Sequence, residues 1–229
     1  MIPMKDALKR IPVFQDISPS TYADLAGCGI MRQYRRGTQL FLDKEPVSTV
    51  FFLAEGKASL YKLNHLYEKK VIFLCGPGQP LNEVILQDPT ASINCEILED
   101  SLILCFPRRT FLGLMERDAH LSMAVMSSMA LKIRRLYHQL KNTVGSVRGD
   151  KRLAAKLWKL SLDYGIPLDD GTLIDFDLSI TYLAELLGSK RETVSRLVKQ
   201  LSEAGLVEYR KNHFFIPDRE KLMEYFKEP

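Results

Sequence analysis

Short apolar runs alternate with turn residues between residues 34 and 106. The runs are rich in β-branched and aromatic side chains and cover residues 40–42, 49–53, 58–63, 70–74 and 101–106. Strands at this regular spacing predict a small sandwich or barrel. The segment 18–26, which precedes the strands, is predicted to be helical because Ser18 and Ser20 can cap its first turn.

The period of the apolar positions changes from two to about 3.5 in the segment 118–144. The residues of this stripe are Met126, Met129, Ile133, Leu136, Leu140 and Val144. They predict a helix of about 25 residues that spans about 40 Å, which one small roll cannot cover. We therefore expect the helix to pair with its own copy through Met129, Ile133, Leu136 and Leu140. The alternative is a core helix that packs only within its own chain.

Two helical patterns flank a glycine in the segment 178–201. Ser179 can cap the first helix, Ala184 is small where two helices must cross, and Gly188 supplies the turn. The apolar residues predicted to face inward are Leu183, Ala184 and Leu187 on the first helix, and Val194, Leu197, Val198 and Leu201 on the second. This pattern predicts a helix-turn-helix, and the segments 205–209 and 213–218 predict the two strands of a wing.

Polar residues remain on the outer face of this pair of helices, mostly near the start of the second one. The candidate DNA contacts are Ser179, Ser189, Lys190, Arg191, Glu192, Thr193, Ser195, Arg196 and Lys199. Arginine reads guanine through two parallel hydrogen bonds, and glutamate accepts one from cytosine. We expect the N-terminal end of the second helix to enter a major groove. The alternative is a structural helix pair with a solvated charged face.

The composition is that of an ordinary globular protein, with 46% hydrophobic and 26% charged residues. The net charge of +4 is mild, but residues 132–152 carry seven basic side chains against one acid, which permits phosphate contacts. Neither a signal peptide nor a membrane-spanning run is evident, so we expect a cytoplasmic protein without a membrane partner. The sequence lacks a nucleophile elbow, a phosphate-cradling loop and paired carboxylates, so we do not expect an enzyme.

The four cysteines, Cys28, Cys75, Cys95 and Cys105, are scattered and form no C-x-x-C pair. Their spacing predicts neither a metal site nor an iron–sulfur cluster. We expect reduced thiols, most of them buried, because free cysteine packs as a small hydrophobe. A thiol redox switch at Cys95 or Cys105 is the alternative.

Taken together, these segments resemble the cyclic-AMP receptor protein/FNR (Crp/Fnr) family of transcription regulators over almost the whole chain. The segments that carry the resemblance are 14–25, 34–37, 52–57, 152–154 and, most strongly, 189–196. The resemblance implies an α+β fold with an N-terminal cyclic-nucleotide-binding-like β-roll (jelly roll), a long dimerisation helix and a C-terminal winged helix-turn-helix. The implied domains are 1–117 (sensory), 118–148 (dimerisation helix and hinge, between Gly145 and Gly149) and 149–229 (DNA-binding).

The resemblance also implies partners and residue roles. The partners are double-stranded DNA with an inverted repeat, a second copy of the chain and, for an activator, RNA polymerase. Arg191, Glu192 and Arg196 would read bases, and Ser195 holds a position that contacts a base in the FNR branch. The bottom-up interpretation of the outer helix face selects the same residues.

The sensory segment departs from the family's pattern. The implied effector-pocket positions are Gly78, Asn82, Glu83, Thr90, Ala91, Ser92, Tyr137 and His138. Asn82 stands where glycine is usual in cyclic-nucleotide binders, and no arginine lies between Asp88 and Ile93 to pair with a phosphate. A buried phosphate would lack its charge partner, so cyclic AMP is disfavoured. The effector is expected to be another small molecule, gas or redox signal.

One further type of sensor is disfavoured, and two alternatives stay open at this point. The N-terminal cysteine cluster of oxygen-sensing FNR proteins is missing, which disfavours an iron–sulfur cluster. A haem-based gas sensor would need an axial ligand such as His65, His120 or His138. A ligand-independent regulator, folded permanently in the DNA-binding form, is compatible with a pocket closed by Thr90, Ala91 and Tyr137.

Overall fold

Residues 3–141 and 148–227 are described by the structure, a computed structural model. The chain divides into two units, Met1–Tyr137 and His138–Pro229. The division falls inside the long helix, whereas the sequence-based domain boundaries lie at its two ends and stay a prediction. Val144 and Gly145, which were predicted to belong to the apolar stripe and the hinge, lie outside the described residues.

Two antiparallel sheets form the first unit, in the orders β1-β7-β3 and β2-β6-β4-β5. Their strands are β1 (Ile30–Tyr34), β2 (Gln39–Phe41), β3 (Thr49–Glu55), β4 (Ala58–Leu63), β5 (Lys69–Cys75), β6 (Asn94–Ile97) and β7 (Ser101–Pro107). Five of these strands cover the predicted apolar runs. The sequence did not predict β1, whose side chains are exposed or half-buried, or the short β6. The predicted β-roll is confirmed.

Four helices accompany the roll. They are α1 (Met4–Leu8), α2 (Pro19–Cys28), α3 (Arg108–Arg117) and α4 (Ala119–Lys141). Ser18 caps α2 as predicted, because its hydroxyl accepts a hydrogen bond from the Thr21 backbone N–H at 3.2 Å. Asp118 precedes α4 and accepts bonds from the backbone N–H groups of Ser18 (2.9 Å) and His120 (3.0 Å). Several hydrogen bonds hold the pKa of Asp118 far below its usual value, and the bond from the Ser18 backbone N–H lowers it most.

An aromatic cluster fills the centre of the first unit. Phe14, Phe52, Phe106 and Phe111 are buried, and the ring centroids of Phe14 and Phe52 are 4.7 Å apart. Phe14 lies in a 3₁₀ turn, Phe52 in β3, Phe106 in β7 and Phe111 in α3. The cluster therefore fixes the N-terminal segment and α3 against the three-stranded sheet.

The long helix α4 buries only part of its apolar surface. Leu121 and Val125 are buried against the roll, and Met129 is half-buried there. The exposed members of the predicted stripe and their relative exposures are Met126 (51%), Ile133 (47%), Leu136 (37%) and Leu140 (62%). An apolar stripe that is exposed in one chain favours the predicted pairing of two copies over a helix that is covered within its own chain.

Helices and an antiparallel sheet make up the second unit. Its helices are α5 (Gly149–Tyr164), α6 (Ile180–Leu187), α7 (Arg191–Glu203) and α8 (Arg219–Lys227). Its strands are β8 (Gly165–Leu168), β9 (Gly171–Ile174), β10 (Glu208–Arg210) and β11 (His213–Ile216), in the order β10-β11-β9-β8. Gly149, the predicted end of the hinge, is the first residue of α5.

Candidate DNA interface and effector site

The predicted helix-turn-helix is formed by α6 and α7. Ser179 caps α6, since its hydroxyl accepts a hydrogen bond from the Tyr182 backbone N–H at 3.1 Å. Gly188 ends α6 in the left-handed conformation, with φ at 62°. A side chain would disfavour that conformation, which explains the glycine at this position.

Buried residues on the inner faces hold the two helices together. Leu183, Ala184 and Leu187 of α6 are buried, as are Val194, Val198 and Leu201 of α7. The sequence placed Leu197 with them, but it is only half-buried. The inner face of α7 is therefore fixed against the rest of the unit, which leaves the opposite face directed to solvent.

The predicted DNA contacts divide into three groups in the structure. Exposed on α7 are Arg191, Glu192, Ser195, Arg196 and Lys199. Half-buried are Ser179, Ser189 and Thr193. Lys190 is also exposed. The sequence predicted that it lies on the outer face of α7, but it is the residue that precedes the first turn of this helix. The first turn of a helix presents free backbone N–H groups, which favour a phosphate there.

Residue Arg152 joins α5 to the helix-turn-helix. Its guanidinium donates a hydrogen bond at 2.8 Å to the carbonyl of Leu187, the last residue of α6. The carbonyls at a helix C-terminus lack partners within the helix, and a cation there is favourable. The bond therefore fixes the end of α6 immediately before the turn.

A second anchor, which the sequence did not predict, surrounds the buried Asp150. Its carboxylate accepts hydrogen bonds from the Tyr225 hydroxyl at 2.6 Å, the Arg148 guanidinium at 2.9 Å and the Gln200 amide at 3.4 Å. Burial opposes ionisation, but the bonds from Tyr225 and Arg148 outweigh it, so the pKa of Asp150 stays below its usual value. The start of α5 is thereby attached to both α8 and α7.

The wing of the second unit ends in a basic turn. Lys211 and Asn212 connect β10 to β11 with φ values of 48° and 64°. Two consecutive residues with positive φ are typical of a tight hairpin turn. The Tyr209 hydroxyl donates to the Asn212 side chain at 2.9 Å. The sequence-based set of DNA contacts omitted Arg210 and Lys211, although the charge of the turn is visible in the sequence.

The candidate effector residues are not equivalent in the structure. Buried are Gly78, Asn82, Glu83 and Ala91, whereas Thr90, Ser92, Tyr137 and His138 are exposed. Asn82 has a structural role, because its side chain accepts from the Phe51 backbone N–H at 2.9 Å and donates to the Thr49 carbonyl at 2.8 Å. These bonds attach the segment after β5 to β3.

Residues of the long helix bind Glu83. The Lys132 ammonium donates to one carboxylate oxygen at 2.5 Å, and the Ser128 hydroxyl donates to the other at 3.2 Å. Lys132 also donates to the Pro80 carbonyl at 2.8 Å. The sequence predicted Glu83 as an effector contact and gave no signal for this pairing.

The buried cysteines are poor candidates for a redox switch. Burial raises the pKa of the Cys75 and Cys105 thiols to about 11 and places that of Cys95 well above its ordinary value. The thiolate is the reactive form of cysteine, so a raised pKa lowers the reactivity of these thiols at neutral pH. This argues against the predicted alternative of a switch at Cys95 or Cys105.

The candidate haem ligands His65, His120 and His138 are all exposed. Within residues 3–141 and 148–227, no three histidine, cysteine or acidic side chains are grouped so that they could hold a metal ion. No helix in the same two ranges is long and apolar enough to cross a membrane.

Two family models match separate parts of the chain. Residues 31–118 match the cyclic nucleotide-binding domain, and residues 151–225 match the Crp-like helix-turn-helix domain. The first model covers the roll, and the second covers the helix-turn-helix and the wing.

Relatives and solved structures are similar over most of the chain. The cyclic AMP receptor protein of Thermus thermophilus is 28% identical over 202 residues, 87% of this chain and 89% of its own length. The anaerobic regulatory protein of Bacillus subtilis is 23% identical over 83% of this chain and 81% of its own. The structure of a putative crp/fnr family transcriptional regulator from Eubacterium rectale superimposes with a TM-score of 0.76 at 16% identity, and covers 96% of this chain and 100% of its own.

Proposed function

This chain belongs to the Crp/Fnr family of DNA-binding transcription regulators, and from that premise we propose that it binds an inverted-repeat operator as a homodimer, under the control of a signal other than cyclic AMP. No catalytic step is part of the proposal. The observation that carries it is the outer face of α7, on which Arg191, Glu192 and Arg196 are exposed near the N-terminal end.

Base reading by α7 follows from the chemistry of these three side chains. Arg191 and Arg196 each favour guanine, because a guanidinium donates two parallel bonds to O6 and N7. Glu192 favours cytosine, because its carboxylate can accept a hydrogen bond from the exocyclic amine of that base. These preferences support a half-site related to TGTGA or TTGA, which the family resemblance also implies. Lys190, Lys199 and the basic turn of the wing are suited to phosphates.

Selection from random duplexes tests this proposal. The expected result for the wild type is an inverted repeat with half-site centres about 34 Å apart, since two recognition helices related by a two-fold axis meet successive major grooves. Arg196→Ala should cost roughly 1–3 kcal/mol per half-site and relax the preference at one base pair. The matched control is Arg196→Lys, which keeps the charge but loses the two-bond geometry.

The two substitutions separate charge from base reading. Arg196→Lys should keep more of the affinity than Arg196→Ala, yet lose the same base preference. An unchanged preference in both variants, or a wild type that enriches no inverted repeat even with cell extract added to supply an effector, contradicts the assignment of α7 as the recognition helix.

Dimerisation through α4 is supported by its exposed apolar stripe. Leu136→Glu or Leu140→Glu should place a charge in the seam between two helices and release monomers. Light scattering measures the change in mass. The control is Arg134→Glu, on the same helix but off the stripe, which should leave the dimer intact. A dimer that persists in both leucine variants would place the interface elsewhere.

Two observations argue against cyclic AMP as the signal. No arginine lies between Asp88 and Ile93, and the carboxylate of Glu83 is bound by Lys132 and Ser128. A nucleotide at this segment would therefore lack a cationic partner for its phosphate and would have to displace an internal ion pair. Another small molecule, a gas or a redox signal remains the proposed class of effector.

A further inference from the structure

A buried ion pair connects the segment after β5 to the long helix of the first unit. Lys132 and Glu83 are 49 residues apart, and their side chains are only 17% and 7% exposed. Ser128 lies four positions before Lys132 and therefore on the same side of α4. Both side chains reach the segment, through the two oxygens of Glu83 and the carbonyl of Pro80.

The Glu83 carboxylate and the Lys132 ammonium both have hydrogen-bond partners within this contact. The Lys132 ammonium uses two of its three donors on Glu83 and Pro80, and each oxygen of the Glu83 carboxylate accepts one bond. A buried charge that loses its partner is strongly unfavourable, because neither water nor another ion replaces it. Separating the two side chains therefore requires that both charges move to solvent.

An exposed ion pair of the same unit, Lys9–Asp6, lacks this property. Lys9 and Asp6 are adjacent on the surface, with side chains 69% and 51% exposed. Such a pair opens and closes at little cost, because water solvates both ions. The Glu83–Lys132 pair differs in burial and in what it connects, which is a candidate effector residue and the helix that bears the apolar stripe.

We propose that the Glu83–Lys132 pair, with Ser128, is a built-in latch that holds α4 on residues 80–83 in the absence of an effector. This proposal rests on the proposed function, because it assigns the latch a regulatory role in DNA binding. Opening the latch releases α4 from the segment and thereby changes operator affinity. The couplings between sites that are usual in proteins predict a change of about fivefold or more.

Hydrogen–deuterium exchange and operator binding test the latch together. Lys132→Met and Glu83→Gln each remove one charge while keeping most of the side chain's size. Both should speed exchange in residues 80–86 and 119–137, and both should shift the dissociation constant for the operator by about fivefold or more. Arg134→Met, an exposed position two residues further along α4, is the matched control and should change neither measurement.

A gentler variant covers the case in which the charge variants unfold. Ser128→Ala removes one hydrogen bond and no charge, so the fold should persist, and exchange should rise locally in residues 80–86. If Lys132→Met or Ser128→Ala exchanges no faster than Arg134→Met, the latch does not exist. If exchange rises but operator affinity stays within twofold, the pair is a structural contact, and the regulatory proposal is overturned.

The exchange measurement needs no DNA, so the two proposals fail separately. A wild-type protein that binds no inverted repeat refutes the proposed function, whereas the exchange rates still report whether α4 is held by the pair. Normal operator binding by the wild type, together with unchanged binding by Lys132→Met and Glu83→Gln, refutes the latch alone.

Discussion

Helix α7 and the segment 80–83 both carry charged residues at positions predicted to bind a partner, but in opposite surroundings. On α7, Arg191 and Arg196 are exposed. In the first unit, Glu83 is buried and is bound by Lys132 at 2.5 Å. An exposed charge stays hydrated until a partner replaces the water, whereas a buried charge must be compensated by the protein itself. The charges on α7 are therefore accessible to an external partner, whereas Glu83 already has an internal one.

The largest expected effect concerns stability. Lys132→Met should lower the free energy of unfolding by about 3–5 kcal/mol, because it leaves the Glu83 carboxylate buried without a counter-charge. Arg196→Met, which changes an exposed side chain of α7, should alter it by no more than about 0.5 kcal/mol. Urea denaturation of both variants measures the difference.

A double variant checks the cause of that loss. Adding Glu83→Leu to Lys132→Met replaces the whole pair by apolar side chains, and most of the lost stability should return, since a buried pair and well-packed apolar residues are often nearly equivalent. If Lys132→Met and Arg196→Met lower the free energy of unfolding equally, the buried and the exposed charge do not differ in their contribution to stability.

The next effect concerns cyclic AMP. Its phosphate would meet no arginine between Asp88 and Ile93, and that missing partner costs on the order of 2–5 kcal/mol of binding free energy. Isothermal titration of the wild type should therefore detect no micromolar binding. A dissociation constant in the micromolar range or tighter would contradict this, and would mean that the nucleotide can displace Lys132 from Glu83.

The two regions also differ in how far the sequence predicted them. The helix-turn-helix was predictable because its signals are local: Ser179 caps α6, Gly188 turns the chain, and the apolar period fixes which face of α7 is exposed. The strand β1 was missed because apolar and polar residues do not alternate in its sequence, IMRQY, and its side chains are at most half-buried. Hydrophobic periodicity carries no signal for such a strand.

The long-range polar contacts of both units could not be predicted from the sequence. Glu83 and Lys132 are 49 residues apart, and Asp150 and Tyr225 are 75 apart. Nothing in the local sequence distinguishes Lys132 from the other basic residues that lie off the apolar stripe of α4. Only the folded roll, which brings the segment 80–83 under α4, selects this lysine as the partner of Glu83.

The smallest expected effect concerns phosphate contact by Lys199. This lysine is 3.7 Å from Glu203, but both side chains are mostly exposed, so the pair contributes little and leaves the ammonium available to DNA. A phosphate contact releases one counterion, so Lys199→Ala should weaken binding to all sequences about equally and lower the salt slope by about one. Lys199→Arg should keep the slope, and Lys159→Ala, an exposed lysine of α5, should leave both quantities unchanged. Fluorescence anisotropy over a series of salt concentrations measures the slope, and a loss of affinity confined to one sequence would instead make Lys199 a base contact.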